Sequence, residues 1–166
     1  MKTSGIHIAY DIYEDIRELP AVDAALLAAA RDAVRGAHAP YSHFRVGAAV
    51  RLAGDKVVQG SNQENASFPL GLCAERVALA AASALYPQEA VEAIAVSYVN
   101  GSAASDVPVS PCGICRQVLA EYEAKGGKPI RVILGGQEGP VYVLTGATQL
   151  LPLSFSSDDL QGLDTL

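Results

Sequence analysis

The sequence predicts a three-layer α/β/α domain with a mixed central sheet. β-rich and helix-patterned segments alternate along the chain, and no internal repeat or linker divides it. Its 166 residues, half of them hydrophobic, suit a single compact core.

The elements follow in order. Ile6, Ile8, Tyr10 and Ile12 alternate in the first fifteen residues, as in a strand or an extended arm. From Ala21 to His38, apolar residues recur at Val22, Leu26, Ala30 and Val34 with charges between them, and Gly36 and Pro40 close this amphipathic helix. Phe44 to Leu52 and Lys56 to Gly60 flank the turn signal Ala53-Gly54-Asp55 and read as a hairpin. After a loop, Ala74 to Tyr86 is rich in alanine and free of interior Gly and Pro, so it reads as a buried helix starting at Cys73 and stopped by Pro87. Val91 to Val99 reads as an interior strand, Gly113 to Lys125 as a helix entered at Cys112, and Ile130 to Leu134 and Val141 to Leu144 as further strands.

Charge narrows the function. A formal net charge of −6 offers no basic surface to a polyanion, so a small or neutral substrate is expected rather than a nucleic acid polymer. The charge-free, alanine-rich run Val77 to Gln88 is too short to cross a bilayer, and Asp11, Glu14 and Asp15 stand where a signal peptide would be apolar. The expectation is a cytoplasmic protein without membrane contact.

Three cysteines, an odd number in two clusters, do not make a disulfide framework. Alone, Cys112-Gly113-Ile114-Cys115 fits half a zinc ribbon, a redox pair or a catalytic metal site equally. Cys73 also falls at a helix start, where the helix dipole favours thiolate, and three such thiolates make a metal cradle. Of His7, His38 and His43, none has a spacing that completes a closed four-ligand site; His43 reads as an ordinary loop or core histidine. The fourth position is therefore open. An open zinc site needs a proton shuttle, and Glu75 is the candidate if Cys73 occupies the non-helical entry to the first turn; its structural alternative is a first-turn glutamate facing the dipole. Arg76 is placed to offset the surplus negative charge of three thiolates on a divalent ion.

Cys-x-Glu followed by Pro-Cys-x-x-Cys is the pattern of the zinc nucleobase deaminases. More closely, the chain resembles the short, homotetrameric cytidine deaminases from about Leu26 to Leu160. Five motifs carry the resemblance: Pro40-Tyr41-Ser42-His43-Phe44-Arg45-Val46-Gly47-Ala48, Asn62-Gln63-Glu64-Asn65-Ala66-Ser67, Gly71-Leu72-Cys73-Ala74-Glu75-Arg76, Pro111-Cys112-Gly113-Ile114-Cys115-Arg116, and Leu150-Leu151-Pro152 with Phe155 behind it. The resemblance implies one Zn²⁺ per subunit on Cys73, Cys112 and Cys115. It also implies hydrolytic deamination of cytidine or deoxycytidine, with Glu75 moving protons to the ring and to the departing amine, within pyrimidine salvage. Asn62 and Glu64 would hold the ribose 3′-hydroxyl, Phe44 would pack on the pyrimidine, and Ala74 would join the substrate contacts. Phe155 would reach across from a neighbouring subunit of a homotetramer whose active site is shared.

Residues 1–20 extend beyond the shortest members and 21–166 form the single catalytic domain implied. Phe68 stands where many members have tyrosine, and no glycine follows Pro152, which loosens the placement of Phe155. Three rivals remain: a deaminase for another aminopyrimidine nucleoside of the blasticidin S type, a structural-zinc module without a reaction, and a redox protein with a reversible Cys112–Cys115 disulfide. The intact Asn62-Gln63-Glu64 and Phe44 favour cytidine over the first.

Overall fold

A computed structural model of the chain describes residues 1–161; the end of the expected domain, 162–166, lies outside them. Six strands form one mixed sheet in the order β1-β6-β5-β4-β2-β3. The strands are β1 (Asp11–Tyr13), β2 (Phe44–Leu52), β3 (Val57–Ser61), β4 (Val91–Asn100), β5 (Arg131–Gly135) and β6 (Val141–Leu144), and the helices are α1 (Ala21–Ala33), α2 (Ala74–Leu85), α3 (Gly113–Gly126) and the short α4 (Ser157–Gln161). Among the described strands only β4 and β5 run parallel, joined through α3; every other strand pairing is antiparallel.

Strand alternation sorts the core into two layers. Ala48, Val50, Ile94, Val96, Val132 and Leu134 face α2 and α3, where they pack with Ala78, Leu79 and Leu119. Ala49, Ala93, Ala95 and Ile133 face α1 and meet Leu26, Leu27 and Ala30. The expected three layers are therefore present.

Two glycines let the helices lie this close. A Cβ on Gly47 of β2 would stand 2.2 Å from the Ala30 carbonyl oxygen of α1. One on Gly60 of β3 would stand 2.4 Å from the Ala78 nitrogen and 2.7 Å from the Ala74 oxygen of α2. Gly60 thus sets the height of the first turns of α2 above the sheet. A buried acid fixes α1: Asp23, 2% exposed, accepts from Arg131 Nε of β5 at 2.8 Å and lies 3.8 Å from Arg51 Nη1 of β2.

Most expected boundaries hold within a residue, and the exceptions have local causes. The first helix becomes a 3-10 turn over Val34–Gly36 and does not reach His38, whose N–H donates instead to the Asn62 carbonyl at 3.0 Å. Val22, expected on its apolar face, is 51% exposed, whereas Leu26, Ala30 and Val34 are buried. In β5, Ile130 drops out because its N–H donates to Glu123 Oε2 at 2.8 Å. Of the N-terminal alternation only Asp11–Tyr13 becomes a strand, pairing with Val141–Val143; Ile6, Ile8, Tyr10 and Ile12 are all exposed. Leu19, from the same N-terminal segment, is buried against the α1 layer.

Gly47→Ala and Gly60→Ala are expected to cost about 1–3 kcal/mol each by overpacking a helix against the sheet. Urea denaturation checks this, and an unchanged midpoint for Gly60→Ala would mean that α2 is free to shift.

Candidate active site

The two helix starts that the sequence singles out lie side by side. Cys73 is the N-cap of α2 and Cys112 that of α3, both with extended backbone, and neither side chain caps its own helix. The thiols are therefore free to face one another, under the positive ends of two helices. Cys115, one turn into α3, is fully buried beside them. Cys73 Sγ lies 3.7 Å from Cys112 Sγ, which lies 3.5 Å from Cys115 Sγ. All three sulfurs fall within 4.8 Å of one another, and no fourth His, Cys, Asp or Glu joins them among the described residues.

These separations are those of three free thiols that can share one ion. A disulfide needs sulfurs about 2.05 Å apart. Sulfurs at about 2.3 Å from a tetrahedral zinc stand about 3.8 Å apart, close to what is found. The donor set thus fits a zinc ion with three protein ligands and one position left over.

Electrostatics divides labour among the thiols. Donation from Cys115 holds Cys73 down to about 6, against the opposing effects of desolvation and the Glu75 carboxylate, while the Arg76 charge adds a smaller downward pull. Cys115 is pushed up by the same interaction and by its burial. Glu75, 4% exposed in the first turn of α2, is raised above the usual carboxylate range by burial, with Cys115 pulling partly back.

In front of the sulfurs opens a cavity of about 520 Å³, well sized for a small organic ligand. Phe44, Asn62, Glu64, Ala74 and Glu75 line it together with Cys73 and Cys112. Phe44 stacks on Tyr98 of β4, centroids 5.0 Å apart and planes 18° from parallel, which fixes its ring. Asn62 Oδ1 accepts from Val46 N at 2.8 Å and its Nδ2 donates to the Phe44 carbonyl at 2.9 Å, so this amide also clips β2 to the segment that follows β3. Glu64 Oε2 accepts from Tyr41 N at 2.9 Å and Ser42 N at 3.3 Å, while Oε1 accepts from the Ser42 hydroxyl; these bonds lower its pKa, the hydroxyl foremost.

The segment carrying Asn62 and Glu64 is itself held from both sides. His38 N donates to Asn62 O at 3.0 Å and Glu64 N to His38 O at 2.8 Å, while Gln63 and Leu72 exchange backbone bonds of 2.8 and 2.9 Å. Gln63 therefore ties the expected sugar contacts directly to the approach to Cys73.

Phe155 is not brought here. It is 59% exposed and lines a different depression with Gln117, whose Nε2 donates to the Phe155 carbonyl at 2.9 Å. Arg76 is partly buried on α2 and has no hydrogen bond among the described residues. His43 is exposed, outside the sulfur cluster, with a left-handed backbone at φ 56°.

Sequence reasoning missed the residues that aim the ligands. Arg116 Nε donates to the Pro111 carbonyl at 2.8 Å, bracing the residue before Cys112, and its Nη1 donates to Leu150 O at 3.0 Å. The Tyr122 hydroxyl donates to Leu79 O at 3.0 Å and ties α3 to α2. Val109 and Ser110 also line the cavity; the Pro108 and Pro111 flanking them were the available signal for an extended approach.

Replacing Cys73, Cys112 or Cys115 by serine is expected to leave substoichiometric zinc where the parent chain retains one ion. Elemental analysis after gel filtration checks this, and full retention in any variant would remove that residue from the cradle.

Residues 20–126 match the family described as the cytidine and deoxycytidylate deaminase zinc-binding region. The chain is 40% identical over 135 residues to a cytidine deaminase of Halalkalibacterium halodurans, a match covering 81% of this chain and 95% of the relative. A cytidine deaminase of Mycobacterium tuberculosis is 38% identical over 131 residues, covering 79% and 87%. The crystal structure of cytidine deaminase from Burkholderia pseudomallei matches with a TM-score of 0.68 and 43% identity, over 79% of this chain and 97% of that one. The family match runs through all three cysteines and Glu75, and the chain therefore belongs to the cytidine and deoxycytidylate deaminase zinc-binding family.

Proposed function

We propose that this chain hydrolytically deaminates cytidine and deoxycytidine to the uridines with release of ammonia, in cytoplasmic pyrimidine salvage. The observation that carries this is the placement of a buried carboxylate, Glu75, beside three convergent sulfurs in one cavity with Phe44, Asn62 and Glu64. A structural-zinc module has no use for that cavity. A redox pair needs two thiols, and the third convergent sulfur, that of Cys73, disfavours the redox reading.

Zinc held by Cys73, Cys112 and Cys115 supplies Lewis-acid activation of water when bound. Glu75 would take a proton from the attacking water and deliver it to pyrimidine N3, leaving C4 open to attack by the water oxygen. It then takes the proton of the new C4 hydroxyl and passes it to the exocyclic nitrogen as the C4–N bond breaks and the C4 carbonyl forms, so that water and cytidine become uridine and ammonia. Burial equips it for both transfers, because a carboxylate raised above its ordinary pKa holds a proton more readily near neutrality. Phe44, fixed by Tyr98, packs on the base, and Ala74 forms the wall beside it. Asn62 and Glu64 meet the ribose 3′-hydroxyl with the bonding capacity that β2 and Ser42 leave them. Arg76 offsets the charge of the thiolates.

Residues 21–166 act as the catalytic domain, with 1–20 as an N-terminal extension whose Asp11–Tyr13 adds the edge strand β1. No helix among the described residues is long and apolar enough to cross a membrane. Phe68, Leu70, Ile114, Leu153 and Phe155 are between 59% and 95% exposed, an apolar surface that supports a homotetramer. In it, Phe155 of the partner subunit completes the cavity.

Glu75→Gln is expected to keep its zinc and lose about 10²- to 10⁴-fold in turnover, measured as ammonia release from cytidine. Near-normal turnover would rule Glu75 out as the proton carrier. Competition with 3′-deoxycytidine tests the sugar contacts without touching the protein: kcat/KM should fall roughly 10- to 100-fold if Asn62 and Glu64 hold the 3′-hydroxyl. Light scattering should give the mass of four chains, and Phe155→Ala should raise KM.

A further inference from the structure

On the opposite side of β2 from the catalytic cavity, the chain gathers three of its twelve basic residues around a second concavity. Arg31 and Arg35 come from the end of α1 and the turn after it, and Arg45 comes from β2. With Asp32, Val99 and Gln137 they line a groove of about 470 Å³.

Most of the neighbouring negative charge is already engaged. Asp32 pairs with Arg35, and Asp15 is bonded by Arg17. Glu138 lies near enough to act on Arg31 through space, as does Asp15. Arg31 donates its Nε to the Gly136 carbonyl at 2.9 Å, which aims the guanidinium and leaves its terminal nitrogens uncommitted. Neither Arg31 nor Arg45 has an ion pair among the described residues. Burial pulls the Arg31 guanidinium below its ordinary value, against the opposing charges of Asp15 and Glu138.

Basic residues in the last turn of a helix complement its dipole, which accounts for Arg31 and Arg35. It does not account for Arg45, which projects from a strand between Phe44 and Val46, residues that line the cavity on the other face. Guanidinium forks match the oxygens of a tetrahedral oxyanion, and a phosphate offers enough acceptors for several of them. The volume exceeds what inorganic phosphate fills and accommodates an attached organic group.

We propose that the groove between Arg31, Arg35 and Arg45 binds a small phosphate-bearing anion, at a site separate from the nucleoside cavity. The net charge of −6 disfavours a polyanion and leaves a small ligand as the occupant.

The test is calorimetric titration of the zinc-loaded protein with adenosine monophosphate, inorganic phosphate and adenosine. The nucleotide should bind, adenosine should not, and the affinity should fall as salt is raised. Arg45→Gln should weaken binding by at least about tenfold, and Arg45→Lys by less, with zinc content and cytidine turnover unchanged. Displacement of the nucleotide by inorganic phosphate would assign recognition to phosphate itself, and its failure to displace would assign it to a phosphomonoester; both support the site. Equal binding by Arg45→Gln and parent, equal binding by adenosine, or no binding of either phosphate at millimolar concentration would overturn it.

Discussion

The chemistry depends on how closely α2 approaches the sheet. Gly60 lets the backbone of Ala74 and Ala78 rest where any side chain on β3 would push it away, and this fixes the height of the turn that presents Cys73 and Glu75. The other two sulfurs arrive on α3, which reaches the same end of the sheet by the parallel crossover between β4 and β5. Two separately seated helices must therefore agree in height and register to within a bond length. The hydroxyl of Tyr122 on the carbonyl of Leu79 links them, and Arg116 steadies the approach to Cys112.

Around that centre, single residues serve both structure and ligand. Asn62 spends half of its amide on the β2 backbone and Glu64 spends its carboxylate on Tyr41 and Ser42, so the groups proposed to meet the sugar are oriented within the chain itself. Little ordering is left to pay at binding. Phe44 is fixed in the same way by Tyr98. The exception is Phe155, which is exposed and has no counterpart within its own chain's cavity.

The layers and the sulfur cluster were legible in the sequence because both rest on local signals. Strand alternation, an alanine-rich run stopped by Pro87, and cysteines at helix starts each need only a few neighbouring residues to be read. What was not legible rests on partners distant in sequence. His38 leaves its helix for a bond to Asn62, Ile130 leaves its strand for one to Glu123, and Val22 faces solvent in spite of its spacing. The three arginines of the groove stand up to fourteen positions apart on a helix, a turn and a strand. In the sequence they were only part of an acidic average.

The facing sulfurs of Cys73 and Cys112 belong to residues 39 positions apart. An ion held there behaves as a reversible cross-link, and closing a loop of that length removes about 4 kcal/mol of chain entropy from the unfolded ensemble. Resistance to heat and proteolysis then becomes a function of free zinc, because an ion that binds the folded form alone stabilises it by mass action. Metal scarcity would act on the lifetime of the polypeptide as well as on its turnover, and the cellular abundance of the protein would follow zinc supply.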